Sequence, residues 1–187
     1  MRFRSFGLLL LAGIGCTTPV YVARYDIELS SVTRADGGVE SARFTDLHGH
    51  TFQDDVIKTT WTPYDKQLGL ILTNNTDHIQ RVLWPQVRYV DATGKAERVV
   101  HEGTTEIEPR KTILELIEPA GHLPAGSNRQ EAPLIAYTYG YSERDVRSKM
   151  TRGTITVLLP IEGDGLTREY TFRFSVTGTV VRRGWSS

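Results

Sequence analysis

His48-Gly49-His50 and Tyr137-Thr138-Tyr139-Gly140-Tyr141 are the two stretches whose residue types and spacing offer chemistry. Histidines two apart on an extended segment project to the same side, where neutral imidazoles can share a metal ion, with Asp46, Asp54 or Asp55 at hand as oxygen ligands. Gly49 and its polar neighbours read instead as a solvated loop, which gives such a site no fixed geometry. Tyr137, Tyr139 and Tyr141 would line one face of a strand and its exit. Exposed, their rings make a stacking platform with hydroxyl tips, suited to a glycan or to another protein, and Trp61, Trp84 and Trp185 can extend it. Packed against cross-strand neighbours, the same tyrosines belong to a core. His78, His101 and His122 are isolated and read as surface or loop histidines. Asp54 and Asp55 are adjacent, so on a strand they would point to opposite faces rather than cooperate. The chain contains no Gly-x-Ser-x-Gly elbow, no His-Glu-x-x-His, no P-loop and no Gly-x-Gly-x-x-Gly. The expectation is therefore a non-catalytic binding or assembly role that needs no cofactor.

The remaining reactive side chain is Cys16, the only cysteine in the chain, which excludes an internal disulfide and a cysteine-rich metal site. It ends a short N-terminal stretch bearing Arg2 and Arg4, followed by the apolar run GLLLLAGIG, the charged-then-apolar order of a secretory signal. That run is far below the roughly 20 apolar residues a spanning helix needs. In an exported protein a lone thiol is open to unwanted pairing, and acylation of the sulfur would remove that hazard. The string LLAGIGC resembles the lipobox of bacterial lipoproteins: Gly15 and Cys16 carry the match, while Gly13 and Ile14 differ from the family's usual residues. The resemblance implies a signal peptide over residues 1–15, lipid attachment at Cys16, a tether over 16–19 and a single domain over 20–187. Thr17, in place of Asp after the cysteine, implies an outer-membrane destination facing the periplasm if the source has two membranes. One acyl chain anchors only marginally, at about 0.8 kcal/mol per buried methylene, so two or three chains on Cys16 would be required.

Composition narrows the partners. With 39% hydrophobic and 24% charged residues, the 187-residue chain is that of a folded domain. Its 22 basic and 22 acidic side chains cancel, and loss of Arg2 and Arg4 with a leader would leave a slight acidic excess. Nothing here favours nucleic acid, whose binding rests on clustered Lys and Arg, and Arg182-Arg183 is too small a cluster to argue for an anionic surface. The expected partners are a membrane, through lipid on Cys16, and an envelope protein; the alternative is an envelope glycan or a metal ion.

The elements that must position these groups are mostly strands. Residues 20–32 mix β-branched and aromatic residues, and further runs fall at 56–62, 68–73, 82–90, 96–101, 112–118, 134–139, 154–160 and 167–182. In TREYTFRFSVTG the apolar Tyr170, Phe172, Phe174 and Val176 alternate with polar residues, a period of two. Turn chemistry marks Asn74-Asn75-Thr76-Asp77, residues 91–95 and residues 162–165. Pro63, Pro85, Pro109 and Pro119 suit strand ends or edges, because proline cannot donate to a ladder. The one helix expected spans 142–150, with Ser142 as N-cap and Glu143 and Asp145 in its first turn. LGLILTNNTD, WPQVRYVDATGK and IEPRKTILELIEP together resemble the small immunoglobulin-like modules common in bacterial lipoproteins. The implied fold is an all-β, antiparallel immunoglobulin-like β-sandwich with at most one or two short helices.

Overall fold

The computed structural model describes residues 20–35, 50–122 and 133–183, and in these the alternating pattern is realised as strands. In chain order they are β1 (Val20–Arg34), β2 (Thr51–Gln53), β3 (Ile57–Pro63), β4 (Leu68–Asn74), β5 (Gln80–Leu83), β6 (Arg88–Val90), β7 (Ala96–Arg98), β8 (Thr104–Ile107), β9 (Thr112–Ile117), β10 (Tyr139–Gly140), β11 (Gly153–Gly163) and β12 (Leu166–Arg183). A single α-helix, α1 (Glu143–Lys149), and 3-10 turns at Trp84–Gln86 and Ala120–His122 complete the described residues.

The strands form two antiparallel sheets. One runs β10-β1-β12-β11-β5-β8, with β6 also against β11 and β7 against β6; the other runs β2-β3-β4-β9. β4 and β9 are neighbours, yet the chain between them crosses to the first sheet and pairs there with β11. This crossing between layers gives an antiparallel all-β sandwich. The core lies between the layers. Tyr170, Phe172 and Phe174 of β12 are fully buried, and Trp61 of β3 lies 4.9 Å from Phe172 and 5.2 Å from Phe174 between ring centroids. Phe52 of β2 meets Phe172 edge-on at 5.9 Å, the geometry that aromatic quadrupoles favour.

Local chemistry sets the punctuation. Asp164 and Gly165 both take positive φ, 54° and 74°, in the tight turn joining β11 to β12, which suits the right-handed twist of the strands. Asn74 ends β4 fully buried: its amide donates to the carbonyls of His78, Ile107 and Glu108, and its oxygen accepts from Thr76, so one side chain ties two loops to the strand. Ser142 caps α1, accepting from the Asp145 amide at 3.1 Å. Met150, at the far end of α1, reaches Gly178 of β12, where an added Cβ would lie 3.1 Å from its methyl carbon. In β1 the register against β12 shifts between Leu29 and Ser31, an extra residue that bulges the strand.

Four expectations are corrected. The run at 82–90 is interrupted at Pro85, where the missing N–H turns the chain through the 3-10 turn, and β5 and β6 both pair with β11 on either side of it. The run at 134–139 is not a strand; only Tyr139 and Gly140 pair with β1. Trp61 and Trp84, each 1% exposed, belong to the core and extend no surface platform. Asp54 and Asp55 sit in the bend between β2 and β3 rather than on a strand, and both accept from Nη1 of Arg34, at 2.8 and 2.9 Å.

Asp54 is the junction of the two layers. Its side chain is 3% exposed; Oδ1 accepts from the amides of Val56 and Ile57 at 2.8 and 2.7 Å, and Oδ2 accepts from Arg34 of β1 and from the Tyr170 hydroxyl of β12 at 2.9 Å. Burial, reinforced by the adjacent Asp54 carboxylate, pushes the Tyr170 phenol far above its ordinary range. Replacing Asp54 with Ala would strand all of these donors, so urea unfolding of Asp54→Ala should show a loss of about 3 kcal/mol. Tyr170→Phe, which removes one donor and leaves the carboxylate satisfied, should lose only about 1 kcal/mol.

Candidate functional site

Beyond the end of β10 no described strand pairs with the outer edge of β1, and a cleft of about 1120 Å³ runs along it. Residues 22–28 of β1 form one side, both inward and outward side chains included, so the cleft lies beside the strand rather than over one face. The opposite side comes from the turn after β3 and the segment before β10: Pro63, Tyr64, Asp65, Leu134, Ile135, Tyr137 and Tyr139, with His50 and the exposed Arg182 and Arg183 also contributing.

The tyrosine wall is held in place. The Tyr64 amide donates to the Gln67 carbonyl and closes the turn, the Leu134 amide donates to the Asp65 carbonyl at 2.8 Å, and the Tyr137 hydroxyl donates to Asp65 Oδ2 at 2.6 Å. That bond to a carboxylate holds the Tyr137 phenol above its ordinary range. The rings of Tyr137 and Tyr139 lie 6.2 Å apart. Tyr64, Tyr137 and Tyr139 are 51%, 54% and 50% exposed, while Leu134 and Ile135 of the same lining are buried. The Ala23 amide donates to the Thr138 carbonyl at 2.9 Å, and Tyr25 and Thr138 share a hydroxyl hydrogen bond at 2.9 Å. These two contacts fix the segment against β1.

Of the residues singled out in the sequence, Tyr137 and Tyr139 come together on the cleft; Tyr141 is 77% exposed and is not among the lining residues. His50 lines the cleft, whereas His48, Asp46, Cys16 and Trp185 lie outside the described residues. Arg34 engages both Asp54 and Asp55, and Asp54 also accepts from the amides of Val56 and Ile57. Among the described residues no group of three histidine, cysteine or acidic side chains converges as a metal site. Tyr64, Asp65, Leu134 and Ile135 were not singled out. Pro63-Tyr64-Asp65 signals a turn, but its bond to a tyrosine 72 residues away leaves no mark in the sequence.

A second cluster bridges the layers on another side. The His101 ring stacks on Trp84 at 4.0 Å and 14°. Its Nε2 lies 3.2 Å from Oε2 of Glu115 on β9, and the Trp84 indole N–H donates to Thr105 at 2.8 Å. Every polar atom named here has a protein partner, so the cluster reads as a structural clasp. Scans of protein-family models, of curated proteins and of solved structures find no match to the chain.

The tyrosine wall is expected to be separable from folding. Tyr137→Ala with Tyr139→Ala should change the free energy of unfolding by no more than about 0.5 kcal/mol per site, the range of surface substitutions. A much larger loss in thermal melts would place these rings in the core. Because Tyr137 holds its proton more tightly when folded, its contribution to stability is present below pH ~10 and fades as pH rises through the folded value. An absorbance titration of Tyr137→Phe should lose one component ionising above the usual tyrosine range.

Proposed function

We propose that the chain is a cell-envelope lipoprotein whose sandwich is a non-catalytic interaction module, held at a bilayer through lipid on Cys16, with the lateral cleft as the surface that takes an envelope protein. The observation that carries this reading is the cleft wall itself: half-exposed tyrosines, fixed by Asp65 and by the edge of β1, beside the buried lining residues Leu134 and Ile135. Rigid aromatic rings with polar tips contribute contact area at small conformational cost, a property of protein-binding surfaces. The leader resemblance supports the anchor, and no helix among the described residues is long and apolar enough to cross a membrane.

The test has two arms. Cys16→Ser should move the protein out of the membrane fraction, or leave its leader uncleaved; unaltered membrane partitioning of a processed protein would refute the anchor. A photoreactive phenylalanine analogue at position 139 should give one discrete cross-linked envelope protein in intact cells, and Tyr137→Ala should reduce that product. Absence of any cross-link from this position would refute the cleft as a partner site.

A further inference from the structure

Among the described residues, β1 is paired along its whole length on one side only. β12 covers residues 20–34, but on the other side β10 reaches only Tyr21 and Val22, and the Ala23 amide makes the last contact, to Thr138. From Arg24 to Leu29 no backbone partner lies against that outer edge among the described residues. Alternation then fixes which groups are affected. In an antiparallel ladder successive residues direct their N–H and C=O to opposite sides. Ala23 points its N–H away from β12, so Tyr25 and Ile27 do the same, into the cleft, and Leu29 points the same way just past its lining.

The side chains on this stretch specify what would complete it. Tyr25 and Ile27 are half-buried and pack against the core, so an added strand would meet them with apolar side chains. Asp26 and Glu28 are exposed on the outer face, opposite the neutral Thr177 and Ser175 of β12, and neither has an ion pair among the described residues. Outward-directed amides with no described partner, an apolar inner face and an outer face carrying Arg24 and then the carboxylates Asp26 and Glu28 are complementary to an extended peptide whose basic residues meet those two carboxylates. We propose that the cleft binds an extended peptide segment of the partner as an added β-strand on the Tyr25–Leu29 edge, with apolar residues turned inward and basic residues opposite Asp26 and Glu28. This rests on the interaction reading above and names the form its partner takes.

A blocked peptide of about seven residues alternating Val and Lys spans the edge at about 3.3 Å per residue and serves as the probe. On binding to the intact protein, the amides of Tyr25 and Ile27 should become protected from hydrogen exchange, whereas those of Arg24 and Asp26 are already protected by β12. Two versions of the peptide, N-methylated on one or the other set of alternate residues, keep every side chain. Methylation of the set facing β1 should weaken binding by about tenfold or more, and methylation of the other set should not. Ile27→Pro, which removes an N–H that β12 does not use, should weaken the unmodified peptide likewise. No binding, equal affinities for the two methylated peptides, or unchanged exchange at Tyr25 and Ile27 would each overturn the proposal. So would a dimer of this chain abolished by Ile27→Pro, which would assign the edge to a second copy. A cross-link from position 139 that survives Ile27→Pro would overturn strand addition alone and leave the interaction reading standing.

Discussion

A buried carboxylate, Asp54, ties the two sheets together. Asp54 comes from the bend before β3, yet half of its acceptors are used by the other layer, through Arg34 at the end of β1 and Tyr170 near the start of β12. A carboxylate removed from water must have its lone pairs satisfied, and the two amides of Val56 and Ile57 together with these two cross-layer donors do so. The relative placement of the layers follows. With β1 and β12 tied to the start of β3, Phe52 and Trp61 fall opposite Phe172 and Phe174, and the aromatic core closes. The same tie sets the opposite end of β1 beside the turn after β3, where the cleft forms.

Where a feature arises from neighbours in sequence, it was legible. The period-two run of β12 buries Tyr170, Phe172, Phe174 and Val176. Ser142 caps α1 as its residue type implies, and the turns at 91–95 and 162–165 join paired strands. The misreadings share a different cause. Residues 134–139 have strand composition, but Leu134 is drawn down to the Asp65 carbonyl and buried, and that long-range bond outweighs local preference. At Pro85 the apolar run 82–90 is continuous in composition, yet the chain turns there because the proline supplies no donor.

The candidate site was visible only as composition. Alternate tyrosines identify themselves in sequence, but whether they face solvent depends on what lies beneath and beside them. Two of the three wall the cleft, and Tyr64 joins them from a turn with no aromatic pattern of its own. The tryptophans show the converse. Trp61 and Trp84 look equally available in sequence, and both are consumed by packing, the second under the ring of His101. Cross-layer partnerships of this kind have no period and no fixed spacing, so sequence reading does not reach them.

The bulge between Leu29 and Ser31 has a bearing on solubility. A strand as long as β1, flat and open along one side, is a template on which identical chains stack edge to edge into fibrillar aggregates. An extra residue at this point increases the local twist and breaks the straight line of the ladder, and Ser30 itself turns back to the Arg173 carbonyl at 2.9 Å. Indefinite stacking requires a long, straight, neutral edge. Here the straight portion stops at Leu29, and charged side chains alternate along it at Arg24, Asp26 and Glu28. Among the described residues a short segment of β1 backbone thus stays unpaired on its outer side, without the straight length that identical chains would need to polymerise.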